Sequence, residues 1–188
     1  MENKETILIL NFYGQYNQLI ARRVRECNVY SEIVPHNISI EDIKKKNPKG
    51  IIFTGSPSSV SEKNAIICDK EILNLGIPVL GICYGMQLIS HLLGGTVEQS
   101  NKREYGETLV DIDNKSPLFF GLENKNVCLM SHTYFVNKLP EGFKNIGHTF
   151  DCPNAGIADD NRKIYGIQFH PEVNLTKNGT EIIRNFVY

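Results

Sequence analysis

At 188 residues the chain is long enough to bury a sizeable core and fits one domain, 1–188, better than two. Its 41% hydrophobic and 22% charged residues are ordinary for a globular protein, and 20 basic against 21 acidic residues leave a net charge of −1, no basis for nucleic acid or an anionic membrane as a partner. No apolar stretch nears the ~20 residues that span a bilayer, no secretory leader is expected, and five scattered cysteines without a Cys-x-x-Cys pair argue against disulfides or a metal site and for a reducing cytoplasm.

In chain order, Ile7 to Leu10 is a short apolar run of the kind buried on both faces of a sheet. Leu19, Ile20, Val24 and Cys27 then mark one face of a helix, and the cluster Arg22, Arg23, Arg25 reads as its solvated side. Ile33-Val34 predicts a second strand, ended by Pro35. A short helix is expected over 39–46, with Ser39 as its N-cap. Gly50 to Phe53 reads as a third strand, followed by the loop Thr54-Gly55-Ser56-Pro57-Ser58-Ser59 and a helix carrying Ile66, Ile72 and Leu73. Pro78 to Ile82 is a fourth strand. It runs into a helix with Met86, Ile89, Leu92 and Leu93 on one face, stopped by Gly94-Gly95. This alternation predicts an α/β fold with an open, mostly parallel sheet flanked by helices. After Gly95 the pattern changes to strands without intervening helices, at Thr108 to Ile112, Val127 to Met130, Gly156 to Ala158 and Ile164 to Phe169. They predict a smaller antiparallel portion. Ile182, Ile183, Phe186 and Val187 mark a closing helix.

Three segments carry chemistry. Gly81-Ile82-Cys83-Tyr84-Gly85 lies between a buried strand and an amphipathic helix, the setting of a nucleophile elbow. Glycines two before and two after remove side chains that would clash in so tight a turn, and the helix N-terminus favours negative charge at the nucleophile. A lone Gly-x-Cys-x-Gly is equally a buried cysteine in a glycine turn, and it is the flanking strand and helix that favour the elbow. In Gln168-Phe169-His170-Pro171-Glu172, residues two apart on an extended chain share a side, so His170 and Glu172 can face one site as base and orienting acid. The alternative is an exposed His-Pro-Glu turn. The loop after the third strand lies at the carboxyl edge of a parallel sheet, where ligands bind. Its backbone N–H groups, with that of Tyr84, are candidates for an oxyanion hole.

These segments, with Gly81 to Gln87, Gln168 to Val173 and Thr54 to Pro57 in matching order across nearly the whole chain, resemble the class I, or triad, glutamine amidotransferases. Within that family Gly14 to Arg25, the Cys-Tyr-Gly-Met-Gln form of the elbow, Asn101 to Gly106 and Met130-Ser131-His132 are similar to the glutaminase part of GMP synthetases. The resemblance implies that Cys83 attacks the carboxamide of L-glutamine, His170 transfers protons and Glu172 supports it. It implies backbone N–H groups of Gly55 and Tyr84 on the oxyanion, and Gln87, Ser131 and His132 at the glutamine pocket. Ammonia then passes to an ATP-pyrophosphatase (synthetase) domain or subunit, which works on xanthosine monophosphate. No cofactor is expected in this chain, while ATP and Mg belong to that partner, whose Ser-Gly-Gly-x-Asp-Ser loop is not in this sequence.

Asn11, Tyr13, Ser56, Tyr134 and Leu175 depart from the family pattern. Ser56 replaces a glycine and is expected to strain the backbone if φ is positive there. The same chemistry with another acceptor (anthranilate, aminodeoxychorismate or CTP type), a peptidase or γ-glutamyl hydrolase, and a divergent module with weak or no activity are the rival readings.

Overall fold

In the computed structural model, which describes residues 4–188, the strand–helix alternation of the first half builds one end of a nine-stranded sheet. Strand β1 (Thr6–Asn11) pairs in parallel with β2 (Tyr30–Pro35) on one side and β3 (Gly50–Phe53) on the other. β3 pairs in parallel with β4 (Val79–Ile82). The chain then leaves the parallel region and returns much later as β9 (Ile164–Ile167), parallel to β4. Between them lie β5 (Thr96–Ile112), β6 (Lys125–Lys138), β7 (Lys144–His148) and β8 (Gly156–Asp159), all antiparallel to their neighbours. The spatial order is β2-β1-β3-β4-β9-β8-β7-β5-β6.

Successive side chains of a strand point to opposite faces, so an all-apolar strand must be covered twice. β1 shows this directly. Ile7 and Ile9 join a core with Ile20, Ala21 and Val24 of α1 (Asn17–Glu26) and Ile182 and Ile183 of α4 (Gly179–Val187). Leu8 and Leu10 join the core on the other face with Ile43 of α2 (Ile40–Lys46) and Leu88 and Ile89 of α3 (Tyr84–Leu92). Each such buried aliphatic side chain contributes ~1.5–3 kcal/mol relative to exposure. Helix α2 begins as expected: the Ser39 hydroxyl oxygen accepts from the Asp42 N–H at 3.1 Å. Among the described residues no helix is long and apolar enough to cross a membrane.

Two expectations fail for physical reasons. Ile66, Ile72 and Leu73 do not share a helix. Only Lys70–Asn74 forms a short 3-10 turn, started by the Asp69 carboxylate accepting from the Glu71 N–H at 2.9 Å. Ile66 sits in the preceding loop, where its carbonyl accepts from the Tyr84 hydroxyl. The second failure is length. β5 and β6 form a hairpin that reaches well beyond Thr108 to Ile112 and Val127 to Met130, back to Thr96 and on to Lys138. On β6 the added stretch buries His132 and Val136, but on β5 Thr96 to Glu107 is mostly polar and exposed, so it carries no burial signal. The cross-strand ladder holds it instead.

Candidate active site

The carboxyl ends of β1, β3, β4 and β9 and one side of the β5–β6 hairpin enclose a cleft of about 420 Å³. Cys83 lies at its floor, between β4 and α3, with φ 55° and ψ −108°. A non-glycine residue there stores ~1–3 kcal/mol of strain, which the surrounding fold must hold. The flanking glycines explain how. A Cβ on Gly81 would lie 2.6 Å from the carbonyl of Gly85, and one on Gly85 would strike the Phe53 carbonyl of β3. The Cys83 N–H donates to the Ile167 carbonyl at 2.8 Å, which extends the β4–β9 ladder into the elbow. The first turn of α3 follows at once, so the sulfur sits at the positive end of a helix.

His170 leaves β9 three residues after its last strand residue and is 7% exposed. Its Nδ1 and the Glu172 carboxylate lie 2.6 Å apart, which turns Nε2 away from Glu172 and toward the cleft. Glu172 is fully buried, and among the described residues its second oxygen has no hydrogen-bond partner. Burial opposes a charged imidazole here. The interactions with Cys83 and Glu172 outweigh it and raise the His170 pKa from 6.5 to about 10. At neutral pH the ring is therefore an imidazolium beside the sulfur, the partner that a cysteine nucleophile needs.

Gly55 closes the constellation. A Cβ built on it would meet His170 Cε1 at 3.4 Å and Cys83 Cβ at 3.9 Å. Among the described residues, neither its N–H nor that of Tyr84, the first residue of α3, has a protein acceptor. The two amides are thus available to a developing oxyanion. Gly14 backs this loop so closely that a Cβ on it would lie 2.5 Å from the Gly55 carbonyl oxygen.

Of the other predicted pocket residues, Gln87, Ser131 and His132 all line the cleft. The His132 ring is engaged on both sides. Nδ1 is 2.9 Å from the Tyr134 carbonyl and Nε2 is 3.2 Å from the Glu104 carboxylate, which leaves the backbone of this segment to face a ligand. Glu104, His132 and Cys152 gather three potential ligand atoms within 4.8 Å, but the Glu104 carboxylate is already shared between His132 and the Thr149 hydroxyl.

Three residues were missed in the sequence. Arg23, read as part of a solvated face, is only partly exposed: Nε donates to the Glu172 carbonyl at 2.9 Å and a second nitrogen to Asn174 Oδ1 at 2.8 Å. The Thr176 hydroxyl donates to the His170 carbonyl at 2.5 Å and accepts from the Leu129 N–H at 2.9 Å. Gln168 is fully buried behind the sulfur. No local pattern marks the bonds of Arg23 to Glu172 and Asn174 or of Thr176 to Leu129, because each joins residues far apart in sequence.

The departures from the family pattern separate. Ser56 is not at positive φ and carries no strain of that kind, whereas Tyr13 is, at φ 66°. The Asn11 carboxamide oxygen holds that turn, accepting from the Tyr13 N–H at 2.8 Å and from Asn17 Nδ2 at 2.5 Å.

A family model for the class I glutamine amidotransferases matches residues 8–188. The chain belongs to this family. It is 60% identical over 186 residues to a glutamine-hydrolysing GMP synthase of Acetivibrio thermocellus, and 57% identical over 185 residues to one of Clostridium perfringens. It covers 99% and 98% of itself in these matches but only 36% of either relative. A solved structure from Thermoplasma acidophilum, described as that of a putative GMP synthase subunit, superposes with a TM-score of 0.88 at 29% identity, covering 98% of this chain and 92% of that one. A glutamine amidotransferase structure of Thermotoga maritima, at TM-score 0.73 and 20% identity over 90% of this chain and 77% of that one, shares the fold.

Proposed function

We propose that this amidotransferase domain hydrolyses L-glutamine with Cys83, His170 and Glu172, and passes the ammonia to an ATP-pyrophosphatase domain or subunit that converts xanthosine monophosphate to GMP. The observation that carries the chemistry is the convergence of Cys83 at the elbow with the His170–Glu172 pair across Gly55.

In this reading the sulfur attacks the side-chain carboxamide carbon of glutamine and a C–S bond forms. Negative charge moves to the carbonyl oxygen, where the N–H groups of Gly55 and Tyr84 receive it. The His170 imidazolium gives its proton to the amide nitrogen, the C–N bond breaks, and ammonia leaves. The now neutral His170 takes a proton from water as that water attacks the thioester. The C–S bond breaks, glutamate departs, and the starting pair is restored. Glu172 fixes the tautomer and orientation of His170 throughout. Gln87, with the backbone around Ser131 and His132, forms the glutamine pocket.

The acceptor rests on the GMP synthase relatives, of which this chain corresponds to about a third. The remainder is the natural place for the synthetase, and ATP and Mg act there rather than on this chain. A reducing cytoplasm suits a thiol nucleophile and five free cysteines. The test is glutamate release by the purified chain, alone and with a GMP synthetase ATP-pyrophosphatase half, ATP and xanthosine monophosphate. Cys83-dependent release that rises in the mixture supports both parts. Release indifferent to the mixture removes the GMP assignment.

A further inference from the structure

A line of hydrogen bonds ends on the sulfur, and its polarity can be worked out from one fixed acceptor. The Tyr134 carbonyl can only accept. Gln87 places a carboxamide terminus 3.0 Å from it, so that terminus is Nε2. The same Nε2 lies 3.2 Å from the Gln168 carboxamide, which must therefore turn its oxygen to Gln87. That leaves Gln168 Nε2 facing Cys83 Sγ, at 3.5 Å. The three polar partners are nearly removed from water: Gln168 is 0%, Gln87 4% and His132 6% exposed. His132 secures the anchor, since its Nδ1 also reaches the Tyr134 carbonyl, at 2.9 Å.

The geometry points to Gln168 as a further catalytic residue: a fixed N–H donor to the reacting sulfur, held in its donating orientation by Gln87 and the Tyr134 carbonyl. On the other side the sulfur lies 3.7 Å from the Ser131 carbonyl oxygen. A thiol can donate to that oxygen, but a thiolate cannot and is repelled by it. Gln168 supplies the opposite preference. Its N–H favours negative sulfur in two moments, before attack and again when the thioester C–S bond breaks and the sulfur leaves with the electron pair. The thioester sulfur between them is a weak acceptor, so the donor acts on the charged forms. The register explains the placement. Gln168 and His170 stand two apart at the end of β9 and reach the same sulfur, one as an amide donor and one as a proton carrier.

This inference rests on Cys83 being the nucleophile but not on glutamine turnover. It is therefore tested by alkylation. The rate of iodoacetamide reaction with Cys83 is followed against pH by mass spectrometry of the Cys83 peptide, with Cys83→Ala as the blank. The other ionisable groups around the sulfur are His170 and Glu172 after β9, His132 of β6, Glu104 of β5 and Cys152 before β8, and all stay in place. For Gln168→Met, similar in length and without donors, we expect the alkylation profile to move up by about one pH unit and kcat/KM for glutamine to fall about tenfold, the size of one hydrogen bond to a charged group. Gln87→Met, which frees the Gln168 amide to turn over, should move the profile the same way by less. It also serves if Gln168→Met fails to fold. A profile that coincides with that of the unaltered protein, in whichever variant folds, overturns the assignment and leaves Gln168 a packing residue. Loss of glutamine hydrolysis without a change in the alkylation profile overturns it equally.

Discussion

The parallel strands β2, β1, β3, β4 and β9 and the antiparallel strands β8, β7, β5 and β6 share one sheet but do different work. In the parallel half, β1, β3, β4 and β9 are buried almost throughout, and their carboxyl ends deliver Gly55, Cys83, Gln168 and His170 to one spot. A strand covered on both faces cannot shift without breaking two cores, which holds these four residues in place. The β5–β6 hairpin is largely exposed along β5 from Thr96 to Leu109, buries Cys128, Met130 and Val136 on β6, and gives the cleft a wall through Ser131, His132 and Tyr134, much of it through backbone carbonyls. Strain follows the same division. Positive φ at Cys83 belongs to the rigid half, where Gly81, Gly85 and the β4–β9 ladder hold it.

The largest effects should come from the rigid half. Cys83→Ala should lower glutamate release at least ~10³-fold and leave the circular dichroism spectrum unchanged. His170→Ala should approach it, and Glu172→Gln, which keeps the shape but removes the charge facing Nδ1, should cost ~10- to 100-fold. Equal losses in all three would mean that Glu172 does more than orient.

A cut in the hairpin wall should read differently. His132→Ala removes a partner of the buried Glu104 carboxylate and should cost about 2 kcal/mol of stability in urea titration. Its activity loss should lie mainly in KM. A pure kcat loss would show that His132 acts chiefly through the Tyr134 carbonyl that anchors Gln87.

The His170–Glu172 pair also predicts a pH dependence. The His170 pKa is raised by folding, so its stabilising contribution is complete below pH 6.5 and is lost as pH rises toward about 10. The difference in melting temperature between the unaltered protein and His170→Gln should shrink across that window. A constant or growing difference contradicts the charged pair.

The smallest effect is expected at Tyr13. Its φ of 66° favours glycine and its side chain is 61% exposed, so Tyr13→Gly loses little packing. Relief of strain should outweigh the added freedom of the unfolded chain, giving stability between unchanged and ~1 kcal/mol higher. A clear loss on thermal melting would show that the ring's edge contact with His36 matters more than the backbone.

What was legible in the sequence follows the same comparison. β1, β3 and β4 were readable because burial on both faces demands continuous apolar runs. The elbow and the His-Pro-Glu segment were readable because tight turns and paired side chains need particular residues at short spacing. The hairpin from Thr96 to Glu107 was not, because an exposed ladder tolerates a stretch such as Gln99 to Glu104. β7 was missed for a related reason: Lys144–His148 is short, polar at both ends and bulged at Asn145 to Gly147. The Arg23–Asn174, Gln87–Gln168 and Thr176–Leu129 contacts join residues 47 to 151 apart, a distance over which local pattern carries nothing.

The most direct test of Cys83 as nucleophile is covalent capture. The chain would be incubated with an electrophilic diazoketone analogue of glutamine, with and without excess glutamine, and its mass and labelled peptide determined. We expect one adduct per chain, on Cys83, slowed by glutamine and absent from Cys83→Ala. Labelling that persists in Cys83→Ala, or that falls on another of the five cysteines, would contradict the proposed site.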